Sequence, residues 1–208
     1  MAFDKRAISS LLITSAVVLC ACTADVASRP TSSSRSLLSG VTSLLTSIDT
    51  TVTVITVDPA VAGTYDIGRS NKLRVEAGGI CDLASTYGVG EWTVPCLPAT
   101  LPVVITARTW ADQSGHPHVD FFPRLRFVPL SGLVPSAVLY LYDPAASRNA
   151  TSKILYCDAG VCVDESLTNA ALVTSRDAQS GFVYRPILHF SGYQVATFDG
   201  SPPADSTP

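Results

Sequence analysis

The chain has only three histidines, and two of them fall in Gly115-His116-Pro117-His118-Val119-Asp120. Side chains alternate along an extended segment, so His116, His118 and Asp120 would share one face. Two imidazoles and a carboxylate can hold Zn²⁺ or a similar ion and leave a coordination position open. The plainer role is a turn, Asp112-Gln113-Ser114-Gly115, leading into a strand. The third histidine lies in His189-Phe190-Ser191-Gly192-Tyr193. A serine hydroxyl beside a strained peptide can attack the preceding carbonyl and move the acyl group from N to O. The ester then hydrolyses and the chain is cut, with His189 as base and Ser191 as nucleophile. In the plainer role His189 pairs at a strand start, Phe190 fills the core and Ser191-Gly192 forms a bulge.

Other catalytic patterns are missing. The chain contains no Gly-x-Ser-x-Gly elbow, no phosphate-cradling glycine loop ahead of a helix and no His-Glu-x-x-His. The expectation is a non-enzymatic protein without a cofactor.

The six cysteines are Cys20, Cys22, Cys81, Cys96, Cys157 and Cys162. Cys157-Asp-Ala-Gly-Val-Cys162 reads as two strand ends around a glycine turn, where cross-strand neighbours lie close enough for a bridge. Cys81 and Cys96 would then pair across a loop rich in Gly and Tyr. A metal site is the alternative, but it would want two closely spaced Cys/His pairs, and only one pair of thiols outside the N-terminus is close. The expectation is two disulfides, in an oxidising compartment.

The N-terminus points to the same compartment. Lys5 and Arg6 precede an uncharged, mostly apolar run from Ala7 to Ala21, the order of a secretory signal. As a helix this run would span about 22 Å, short of the roughly 30 Å hydrocarbon core. Leu19-Cys20-Ala21-Cys22 resembles a bacterial lipoprotein signal, with Leu three positions before a Cys and a small residue directly before it. The resemblance implies cleavage before Cys22 and lipid on its thiol. Cys20 would leave with the signal, so four cysteines remain to pair.

These residues need elements to position them. The chain has 208 residues, 47% hydrophobic and 15% charged, enough for one domain with a core. A net charge of -3 gives no reason to expect nucleic acid as a partner. From Thr51 onward, β-branched residues alternate with period two: Thr51-Val-Thr-Val-Ile-Thr-Val57, then Lys72–Glu76, Trp92–Val94, Val103–Trp110, Val119–Phe122, Leu125–Val128, Ala137–Tyr142, Lys153–Tyr156, Phe182–Tyr184 and Tyr193–Phe198. The fold class expected is all-β, a single antiparallel β-sandwich stapled by disulfides. The aromatics in these strands are expected to pack in the core or across strands. The domain reading is a signal over 1–21, a lipid-anchor cysteine and Ser/Thr-rich tether over 22–50, the sandwich over 51–198 and a disordered tail over 199–208. Within the tether Leu37, Val41, Leu44, Leu45 and Ile48 fall at helical spacing.

Several short stretches in the 51–198 region resemble the ZU domain, the sandwich of netrin receptors, ankyrins and tight-junction proteins. They are Ala77-Gly-Gly-Ile80, Trp92-Thr-Val-Pro95, Leu101-Pro-Val-Val-Ile-Thr-Ala107, Phe122-Pro-Arg-Leu-Arg-Phe-Val-Pro129 and the closing His189-Phe-Ser191. The resemblance implies a sandwich, and His189-Phe190-Ser191 also resembles the self-cleavage sequence of certain β-sandwich proteins, cut between Phe190 and Ser191. The function expected is an interaction or structural module at the cell envelope, joined to the membrane through lipid on Cys22 and facing the periplasm or exterior. Its other partner would be an unknown protein or envelope ligand, met first at loops 82–95 and 111–118.

Overall fold

Alternation of β-branched residues becomes paired strands wherever one face can be buried. In the computed structural model, residues 49–85, 95–129 and 135–198 are described. They lie within one compact unit, Thr46–Pro208. The described residues form eleven strands: β1 (Thr51–Val57), β2 (Gly63–Gly68), β3 (Asn71–Val75), β4 (Val103–Ala111), β5 (Pro117–Phe122), β6 (Ala137–Tyr142), β7 (Ser152–Asp158), β8 (Val161–Val163), β9 (Ser175–Asp177), β10 (Phe182–Pro186) and β11 (Gly192–Thr197). One sheet runs β1-β4-β5-β11-β7-β8 and the other β2-β3-β6-β10-β9. All named pairings are antiparallel. The fold is thus an all-β antiparallel sandwich.

Most strands commit one face to the space between the sheets; β8 and β9, at the sheet edges, bury no residue. Val57, Ile105, Ala107, Val119, Phe121, Ile154, Tyr193 and Val195 are buried from the first sheet, and Ile67, Leu73, Val75, Leu139, Leu141 and Val183 from the second. Phe190 joins them on the crossing from β10 to β11. It stacks on Phe121 at 4.3 Å and meets Phe127 edge-on at 4.9 Å, so it fills the core as its plainer role implied.

Two disulfides staple this frame. Cys157–Cys162 joins directly opposed residues of the β7–β8 hairpin, with Cα atoms 4.1 Å apart. Ala159 and Gly160 turn the hairpin with positive φ at both positions, the handedness that matches strand twist. Cys81–Cys96, with Cα atoms 5.7 Å apart, closes a loop of sequence separation 15.

The frame departs from the sequence reading in places. Leu125–Val128 is not a strand. It touches its neighbours through single bridges, Ile80 to Phe127 and Arg126 to His189, because Pro123 and Pro129 bracket it and lack the N–H a ladder needs. Polar β2 and β9 carry too few apolar residues to have announced themselves. Three short 3-10 turns, Ala146–Arg148, Glu165–Leu167 and Ala170–Leu172, lie in connections. Residues 1–48, Trp92–Val94 and the tail 199–208 lie outside the described residues. No helix among the described residues is long and apolar enough to cross a membrane.

Candidate functional site

The three residues of the His116–Asp120 stretch do not converge. His118 and Asp120 both stand on the outer face of β5, but His116 precedes the strand. Its Nδ1 lies 2.7 Å from Oδ2 of Asp143, the residue that follows β6 of the other sheet. His118 stacks on Trp110 with ring centroids 5.1 Å apart and its Nε2 lies 3.4 Å from Asp112 Oδ2. Asp112 organises the turn, its Oδ1 accepting from the backbone N–H of Ser114 and His116 at 2.8 and 2.9 Å. Burial pushes the Asp112 carboxyl up. The N–H of His116, the His118 ring and the N–H of Ser114 outweigh it and hold the carboxyl below its ordinary value. Among the described residues, no group of three or more His, Cys, Asp and Glu is placed to hold a metal ion. The turn-into-strand role therefore describes this stretch.

His189 is fully buried, and its Nε2 lies 2.9 Å from Glu165 Oε1. The other oxygen of Glu165 accepts from Nη2 of Arg185 at 2.5 Å, and Arg185 is also fully buried. Arg185 donates further to the carbonyl of Ile154 at 2.9 Å. One carboxylate on the Glu165–Leu167 turn thus clamps β10 and the β10–β11 crossing. A buried cation of this kind persists only when paired and hydrogen-bonded. The turn is itself capped by Asp164, which accepts from the Ser166 N–H at 3.0 Å and from Lys153 at 2.6 Å.

The Ser191 hydroxyl donates elsewhere, to the carbonyl of Cys157 at 3.0 Å. Tyr156 stands beside both groups, its ring edge-on to His189 at 4.6 Å. Burial, with the charge of Asp158, raises the Tyr156 hydroxyl above the ordinary tyrosine value, against a hydrogen bond with Ser191. The Phe190–Ser191 peptide is held in place: the Phe190 N–H donates to Leu125 at 2.8 Å and the Ser191 carbonyl accepts from Phe121 at 3.2 Å. Neither residue has a positive φ.

Asp120 belongs to a different feature, a groove of about 310 Å³ on the outer face of the six-stranded sheet. Trp110 and Phe122 wall it, Gly192 and Ser191 line it, and the hairpin tip at Asp158 bounds it together with Arg124. Arg124 donates to Asp158 at 2.6 Å. A Cβ added to Gly192 would lie 2.7 Å from Asp120 Oδ1 and 3.0 Å from the Cys157 carbonyl, so the groove floor requires glycine. Burial raises the Asp120 carboxyl above its ordinary value, against the nearby charges of Arg108 and His118.

Three groups here escaped the sequence reading. Glu165 and Arg185 lie in no motif, and twenty residues of sequence separate them. Trp110 was expected to pack across strands, which it does against His118, yet it also faces the groove. Cys22, the lipidation candidate, lies outside the described residues. No family model matches the chain, and neither a curated protein nor a solved structure matches it.

Proposed function

We propose that this is an exported, lipid-anchored protein of the cell envelope, whose ZU-like sandwich serves as a non-catalytic interaction or structural module. The observation that carries the reading is the pair of disulfides in the described fold. Bridges of this kind persist in oxidising compartments, where the signal-like N-terminus would deliver the chain. Lipid on Cys22 would hold the domain at the membrane. The histidines and Ser191 are each engaged in bonds that fasten turns and crossings to the frame, which is the work of a scaffold.

A second reading, self-cleavage between Phe190 and Ser191, draws on His189 and Tyr156 standing around Ser191. Against it, the Ser191 hydroxyl is bonded to Cys157 and His189 to Glu165. Intact mass of the mature protein from its native host tests both. The expected result is one species carrying acyl groups on Cys22, four oxidised thiols and no fragment beginning at Ser191. An unacylated chain would overturn the anchor, and a fragment abolished by Ser191→Ala would establish cleavage instead.

A further inference from the structure

The groove over Gly192 sets the Asp120 carboxylate between aromatic walls, with the Arg124–Asp158 pair at its far end. Asp120 is half-buried, and among the described residues its carboxylate makes no hydrogen bond or ion pair. Arg108 faces it from β4 and His118 from its own strand, as the register Arg108↔Asp120 and Trp110↔His118 requires. Both contribute favourable charge, yet neither is an ion-pair partner. At the far end Asp158 is already neutralised by Arg124. The Ser191 hydroxyl is already engaged, with the Cys157 carbonyl and with the Tyr156 hydroxyl, so it offers the groove no free hydrogen. The walls are aromatic, and Phe122 is 47% exposed. Aromatic walls and a half-buried carboxylate that makes no hydrogen bond or close ion pair among the described residues ask for a ligand that is cationic, able to donate and attached to an apolar stem. A neutral sugar would want donors as well as acceptors. A metal ion would want more than one carboxylate.

We propose that the groove over Gly192 binds a primary alkylammonium group, with the ammonium against Asp120 and its methylene stem between Trp110 and Phe122. The site deepens the interaction-module reading and rests on it. A lysine side chain of a partner protein and a free alkyl diamine carry the same chemistry. The groove volume is at the small end of ligand sites, which suits one side chain and not a larger body.

The test is calorimetric titration of the full-length protein at neutral pH with three probes: cadaverine, Nα-acetyl-lysine methylamide and 1-pentanol. Saturable binding of an amine with no response to pentanol is expected. Preference for the lysine derivative would identify a protein partner, and preference for cadaverine a free amine. Asp120→Asn should weaken amine binding about 10- to 100-fold, the range for a lost charge-assisted bond. It should keep the fold, because burial already disfavours the charged carboxyl. Trp110→Leu should weaken binding without removing it. Equal binding of pentanol, unchanged affinity in a folded Asp120→Asn protein, or no binding of either amine would overturn the proposal. Each of these outcomes is independent of the mass measurement, so failure of the groove and failure of the envelope reading are told apart.

Discussion

Replacing Glu165 with alanine should be the most damaging single polar change in the described fold. The substitution removes one carboxylate that serves two fully buried groups, Arg185 at 2.5 Å and His189 at 2.9 Å. Arg185 keeps its bonds to the Ile154 and Pro186 carbonyls but loses its counter-charge. Breaking a buried pair in this way costs about 3–5 kcal/mol, against a typical total of about 5–15 kcal/mol. With a urea m-value of about 2 kcal/mol per molar, the unfolding midpoint should fall by about 2 M. Glu165→Gln, which keeps the shape and one acceptor, should lose less. A double change to Glu165→Leu with Arg185→Met should lose less than Glu165→Ala alone, since removing both charges leaves none stranded. The assay is urea unfolding followed by tryptophan fluorescence, with the disulfides intact and m compared between variants. A loss of about 1 kcal/mol or less for Glu165→Ala, the worth of an exposed pair, would refute the clamp.

Other outcomes follow from the same structure. The Asp120 carboxyl is raised in the fold, so the native state holds its proton more tightly than the unfolded state does. Stability from this group therefore falls as pH rises from its ordinary value through the raised one, and Asp120→Asn should flatten that slope and raise the thermal midpoint at neutral pH. Asp164 shifts the other way: burial raises it, but Lys153 and Ser166 outweigh burial and lower it. Its contribution is present above the ordinary carboxyl value and lost as pH falls through the lowered one, so the protection factor of the Ser166 amide, its exchange relative to the intrinsic rate at each pH, should fall in acid before global unfolding. Opening Cys81–Cys96, with separation 15, should cost about 3 kcal/mol, and opening Cys157–Cys162, with separation 5, about 2 kcal/mol; denaturant unfolding of the paired Cys→Ser variants checks the order.

Much of the frame was legible because strands write themselves in period two. Thr51–Val57 and Val103–Ala111 are strands as their alternation implied, and Thr51–Val57 pairs residue for residue with Val103–Thr109. The Cys157–Cys162 bridge was legible because a glycine turn sets the two cysteines opposite each other. The sites were harder, for reasons of distance along the chain. His116 reads as a partner of His118, but it lies just before the strand and meets Asp143 from the other sheet. Asp120 gains its groove from Gly192, which only the β5–β11 pairing brings opposite it. Glu165 reaches His189 and Arg185 from a connection with no periodicity at all. Local pattern reports which face a residue takes; it does not report which distant strand supplies the neighbour.

The place of β11 in its sheet bears on when this protein can fold. It is the last of the described strands in sequence, yet it lies between β5 and β7 and joins β1-β4-β5 to β7-β8. Until residues 192–197 are available, the larger sheet is two fragments with open edges facing a gap. Contacts of such long sequence separation form late and slowly. A chain passing through a membrane N-terminus first would therefore remain unlocked for nearly its whole transit and close only when its last strand arrives.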